Sequence, residues 1–132
     1  GKFVKEDLNA IGSITGNGIP FVVAENMILG TDHTEIGAKI LSQWAFPEAV
    51  VKAVRYHHDP EAADKPSMQI DVVHLSNLLC QTNSTAPDSA GQPMELSAAV
   101  FDRMGIEPSQ FAVISEKVAE WVDELSDALT FN

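Results

Sequence analysis

Apolar residues recur every third or fourth position through most of this chain, the spacing of one buried helical face. Clusters of Gly, Pro, Asn and Ser interrupt the runs. FVKEDLNAIGSI predicts a first helix, closed by the Gly-rich TGNG. PFVVAENMILG opens on Pro20, suited to a first helical turn, and stops at Gly30. TDHTEIGAKILSQW offers Thr31 or Asp32 as N-cap, with Glu35 placed for a capping box. Its Ile36, Ile40, Leu41 and Trp44 are expected to face the core. FPEAVVKAVRYHH restarts at Pro47, with Val50, Val51 and Val54 as its buried stripe and Lys52 and Arg55 turned elsewhere. Pro60 and EAADKPS then break the chain.

MQIDVVHLSNLLCQ predicts the next helix, with Val72, Leu75 and Leu79 on one face and Ile70, His74 and Asn77 on a neighbouring one. Residues 82–93, TNSTAPDSAGQP, form a polar stretch expected to be a mobile loop. MELSAAVFDRMG is a short helix closed by Gly105. The strongest helical signal is 108–129, where Phe111, Ile114, Val118, Trp121 and Leu125 follow 3-4 spacing and acids fill the other faces. That run spans barely three heptads and Val122 widens its stripe, so packing against its own domain is expected, with a dimer as the lesser alternative. No segment alternates as a strand does. The pattern predicts an all-α fold, a compact multi-helix bundle joined by short connections.

Composition narrows the picture. With 132 residues, 45% of them apolar, residues 1–132 are expected to form one domain with a single core. No apolar run reaches the ~20 residues of a membrane span, and no signal peptide is visible at the N-terminus. The single cysteine, Cys80, cannot form an intrachain disulfide; this fits a cytoplasmic protein. Within its apolar helix Cys80 is expected to be buried and inert. The net charge is −11, and residues 56–132 hold thirteen acids against three bases. That half would repel a polyphosphate, which argues against nucleic acid as a partner.

Three of the four histidines, His33, His57 and His58, fall between residues 32 and 60. Imidazole and carboxylate are the ligands of zinc, iron and manganese, so these three are candidate metal ligands. Adjacent residues on a helix point about 100° apart, so His57 and His58 are not expected to reach one ion together. One could ligate while the other caps the helix end. No HExxH site, GxSxG elbow, CxxC pair or P-loop is present, and no catalytic residue is assigned.

The stretches AENMILGTDHTEIGAKIL, WAFPEAVVKAVRYHHDP and VVHLSNLL together resemble the C-terminal half of the HDOD domain, a bacterial relative of the HD and HD-GYP phosphohydrolases. Glu25, Gly30, His33, Gly37, Ala38, Trp44, Pro47, His57, His58 and Asn77 occupy the places of the family pattern. The resemblance covers residues 1–80 well and the tail loosely. It implies an HD-domain-like bundle, with Gly37, Trp44, Pro47 and Asn77 in structural roles. Two departures bear on chemistry. Catalytic relatives carry a His-Asp dyad, often followed by Gly-Lys, and the chain opens on Gly1-Lys2, which is either the end of that motif or a scar. Asn77 stands where catalytic relatives place a metal-binding aspartate.

The resemblance therefore implies a non-catalytic signal-transduction module with no cofactor. Its expected partners are signalling proteins, neighbouring domains of a longer chain, or a small ligand. His33 would bond across to the helix bearing His57, His58 would cap that helix, and Trp44 and Pro47 would lock the turn before it. The alternative is a phosphohydrolase or cyclic-dinucleotide phosphodiesterase using a divalent metal (iron, manganese or zinc). Its remaining ligands would lie upstream, and Lys39, Lys52 and Arg55 would contact phosphate.

Overall fold

The protein is described from a computed structural model, which defines residues 2–83 and 97–130. These residues fall into two compact units, one within Gly1–Glu95 and one within Leu96–Asn132. The first holds helices α1 (Lys2–Thr15), α2 (Phe21–Leu29), α3 (His33–Gln43), α4 (Glu48–Tyr56) and α5 (Met68–Asn83), with a 3₁₀ turn at Pro60–Ala62. The second holds α6 (Ala98–Met104) and α7 (Pro108–Thr130). No strand occurs among the described residues, as the 3-4 spacing predicts. Thr82 and Asn83 extend α5; the rest of the expected polar loop, 84–93, lies outside the described residues.

The helix boundaries follow local chemistry. Pro20 and Pro47 sit at the N-caps of α2 and α4, one position ahead of the first helical residue. Gly30 closes α2 in the left-handed region, at φ 69°. Asp32, not Thr31, caps α3, accepting from the amides of Thr34 and Glu35. The Glu35 carboxylate accepts the Thr31 hydroxyl at 3.1 Å.

Within the first unit α1 packs on α2, α3 on α4, and α4 on α5. The α3 face that enters this packing is not the one expected. Ile36 and Ile40 are exposed, Trp44 is 70% exposed and Leu41 is half-buried. Thr34 and Ala38 are the buried residues instead. A Cβ added at Gly37 would lie 3.0 Å from Val54 Cγ1. The α3–α4 contact is thus made by small side chains, and the bulky stripe is turned outward.

The same shift toward small residues holds on α4. Ala53 is buried, Val51 and Val54 are half-buried, and Val50 is exposed. On α5 the buried face is Ile70, Asp71, His74, Leu75 and Leu78. Val72 is exposed there, and so is Cys80, against the expectation that it is inside.

In the second unit Ser97 caps α6, its hydroxyl accepting from the Val100 amide, and Gly105 ends it at φ 62°. Val100, Phe101 and Ser115 are buried, and the Phe101 ring meets Phe111 edge-on at 5.4 Å. The α7 stripe is covered only in part. Phe111 and Val118 are half-buried, whereas Ile114, Trp121 and Leu125 are exposed.

Candidate functional site

The polar centre of the first unit forms where α2, the start of α3 and the end of α4 meet. Asp32 anchors it. Its Oδ1 accepts from the Thr34 amide (2.9 Å), the Thr34 hydroxyl (2.6 Å) and the Glu35 amide (3.0 Å). Its Oδ2 accepts from Asn26 Nδ2 at 2.7 Å, tying the cap to α2. Burial works to raise this carboxyl's pKa. The hydrogen bonds from Thr34, Glu35 and Asn26 outweigh that and hold it down at about 2. Arg55 donates from Nη1 to Thr34 Oγ1 at 2.8 Å, so α4 joins the same network.

The helix start that Asp32 caps presents His33. Its Nδ1 bonds the buried Glu25 carboxylate, which also accepts the His33 amide at 3.2 Å. A carboxylate only accepts, so Nδ1 carries the proton, and in the neutral ring Nε2 is an acceptor. His58 Nε2 lies 2.9 Å from His33 Nε2 and, when the His33 ring is neutral, donates to it. Glu25, His33 and His58 thus form one relay from α2 through α3 to the segment after α4.

His57, not His58, is the C-cap of α4, and its Nδ1 donates to the Val54 carbonyl at 2.8 Å. The helix ends at Tyr56, so the 100° rule does not govern the pair, and the His57 and His58 ring centroids lie 4.2 Å apart. One ligand atom from each of His33, His57 and His58 falls within 4.8 Å of the others. All three candidate ligands therefore come together. Burial lowers the pKa of His57; burial and then the neighbouring imidazoles of His57 and His33 push His58 down to about 4.

Sequence reasoning missed His74. Its Nδ1 donates to the His57 carbonyl at 2.8 Å, so α5 supports the backbone of the cluster. Its Nε2 is buried with no hydrogen-bond partner among the described residues. Helical spacing placed His74 beside Ile70 on α5; only the fold brings it under His57.

The phosphate candidates do not converge. Lys52 bonds Glu48 (2.9 Å) and Asp64 (3.4 Å), and Lys39 is exposed on α3. Arg55 alone reaches the centre, through Thr34. Gly37 and Pro47 hold structural positions, at the α3–α4 contact and the N-cap of α4. Asn77 is half-buried on α5. Trp44 does not lock the turn by burial. The turn is closed by backbone bonds from Ala45 to Ser42 and from Phe46 to Leu41.

A metal fits this donor set. Nδ1 of His33 and of His57 are each held by an acceptor, the orientation that leaves Nε2 available for an ion. His58 would have to move its proton to Nδ1 to offer Nε2 as well. Three imidazoles are a donor set that would hold a single divalent ion such as zinc.

Residues 2–60, which span α1 to the cluster, match the HDOD domain. Over 61 residues, 46% of the chain, the sequence is 33% identical to an uncharacterised protein of Treponema pallidum (strain Nichols), of which it spans 12%. It also resembles a crystal structure from Marinobacter aquaeolei VT8, provisionally assigned to signal transduction. There the TM-score is 0.68 at 20% identity, over 84% of this chain and 24% of that one. The likeness shows the all-helical fold. The chain therefore spans a minor part of both proteins. No described helix is long and apolar enough to cross a membrane.

Proposed function

We propose that this HDOD segment is part of a signal-transduction module that binds a partner protein or small ligand and does not hydrolyse it. The observation that supports this is the relay Glu25–His33–His58, which uses the imidazoles to join α2, α3 and the end of α4. Arg55 is engaged with Thr34, and Lys52 with two carboxylates. Of the three basic side chains that phosphate chemistry would use, Arg55 is spent on joining α4 to α3 and Lys52 on ion pairs with Glu48 and Asp64. A ligand that took one imidazole from the relay would break the His33–His58 link while Arg55 still holds Thr34, which makes the centre a point where binding can alter structure.

A second reading is favoured by one specific observation, the convergence of three imidazole nitrogens within 4.8 Å. His33, His57 and His58 would hold a divalent ion such as zinc, manganese or iron, and the ion would supply a Lewis-acid centre. A two-metal hydrolase also needs carboxylates that bridge or close the site. Glu25, the carboxylate bonded to the cluster, is occupied by His33 Nδ1.

Equilibrium dialysis of the purified chain against zinc or manganese, followed by elemental analysis, separates the readings. The relay reading expects no stoichiometric metal in the wild type. One ion per chain, lost in His57→Ala, would replace it with a metal centre. Turnover of a cyclic dinucleotide by the metal-loaded chain would sink the non-catalytic reading itself.

A further inference from the structure

Within the second unit, the last turns of α7 carry an apolar strip that the described residues of that unit leave exposed. Trp121 is 57% exposed, Val122 57% and Leu125 63%. The strip is a regular one. Ile114, Val118, Trp121, Leu125 and Ala128 are spaced by four, three, four and three residues, the seam of a helix that pairs with another helix. Ile114 and Ala128 are exposed, and Val118 is half-buried.

We propose that α7 pairs with α7 of a second copy of the chain, antiparallel, about a two-fold axis at Trp121. That axis places Ile114 against the partner's Ala128 and Val118 against the partner's Leu125, and stacks Trp121 on the partner's Trp121. Each large side chain meets a smaller or matching one, as a self-complementary interface requires.

Charge selects the orientation and the occupant. Lys117 is the single base of α7, and Glu124 lies seven residues on, two turns along the same flank of the strip; both are exposed. The antiparallel axis sets Lys117 beside the partner's Glu124, and symmetry repeats the pair. A parallel arrangement would set Lys117 opposite the partner's Val122 and Glu124 opposite the partner's Leu129, leaving both charges without a counterpart. A basic foreign helix would suit the acids of α7, but it would meet Lys117 with like charge at the edge of the seam.

Sedimentation equilibrium over a concentration series tests this on the full chain. The expected mass rises from 14.3 kDa toward twice that value. Trp121→Ala keeps the chain at the lower mass. Lys117→Glu and Glu124→Lys each weaken association about tenfold, because two attractive pairs become two repulsive ones. The double variant Lys117→Glu/Glu124→Lys restores association. All three positions involved, Lys117, Trp121 and Glu124, are at the surface, and circular dichroism checks that helix content is kept. A chain that stays monomeric at every concentration overturns the proposal. So does a dimer that ignores the single reversals, or a double variant no stronger than the singles.

Discussion

Ala45 follows the last residues of α3 with φ 56°, a left-handed conformation that costs an L-residue with a Cβ roughly 1 kcal/mol. The bonds from Ala45 to Ser42 and from Phe46 to Leu41 define the turn. The same pair of bonds recurs after α6, from Gly105 to Asp102 and from Ile106 to Phe101, and there the residue is glycine. Ala45→Gly should therefore stabilise the chain by about 0.5 kcal/mol, after the extra unfolded-state entropy of glycine is set against the relieved strain. Urea denaturation would show a higher midpoint, and a lower one would contradict the strain argument. Asp32→Ala removes a cap with four incoming bonds and should cost ~2 kcal/mol, the upper end for N-caps. The sequence narrowed the cap to Thr31 or Asp32, because both precede an apolar 3-4 run. The bond from Asp32 to Asn26 was not legible there, since that depends on how α2 returns to α3. The histidines set a pH dependence. The folded-state pKa of His57 and of His58 is lowered, so the unfolded chain binds protons first as pH falls below about 6.5. Their contribution is full above that pH, declines toward the folded His58 value of about 4, and is constant below it. Solvent screening of these half-buried rings keeps the loss on the order of 1 kcal/mol. His58→Gln should flatten the stability profile between pH 6.5 and 4, and an unchanged slope would refute the assignment.

At the scale of elements, periodicity identified helices but misjudged which side of several faces inward. Ile36, Ile40 and Trp44 form a good apolar stripe, yet the packed face of α3 is Thr34, Gly37 and Ala38. Helical spacing gives both stripes the same standing, and hydrophobicity favours the larger one. The deciding quantity is the distance between α3 and α4, which admits only small side chains where Gly37 meets Val54. Gly37→Ala sets a helix-propensity gain of about 1 kcal/mol against a 3.0 Å contact with Val54 and should be nearly neutral. Gly37→Val adds two methyl groups to the same gap and should cost ~2 kcal/mol. Thermal unfolding of the two variants separates these cases, and a Val variant as stable as the Ala variant would mean the helices move apart freely.

For the molecule as a whole, net charge and composition are read directly from the chain. They do not locate the site, because the site is made by return contacts. Glu25 and His33 are eight residues apart, His33 and His58 twenty-five, and His57 and His74 seventeen. Glu25→Gln, which keeps the shape and removes the charge, should loosen His33 without unfolding the unit. Hydrogen exchange would rise at the start of α3 and stay unchanged in α5, whereas uniform exchange would assign Glu25 a general packing role. The sequence by itself determined the all-α class, most helix ends, the Thr31-Asp32 pair as the source of the α3 cap, and His33, His57 and His58 as candidate ligands. These depend on spacing within a few residues, where backbone geometry is fixed by local chemistry. Only the tertiary structure decided which helix faces are buried, that His57 caps while His58 bonds His33, and that His74 supports the pair. Those outcomes turn on the approach of one helix to another and on the exit of the chain from α4 at Tyr56, and no periodicity along a single segment encodes either.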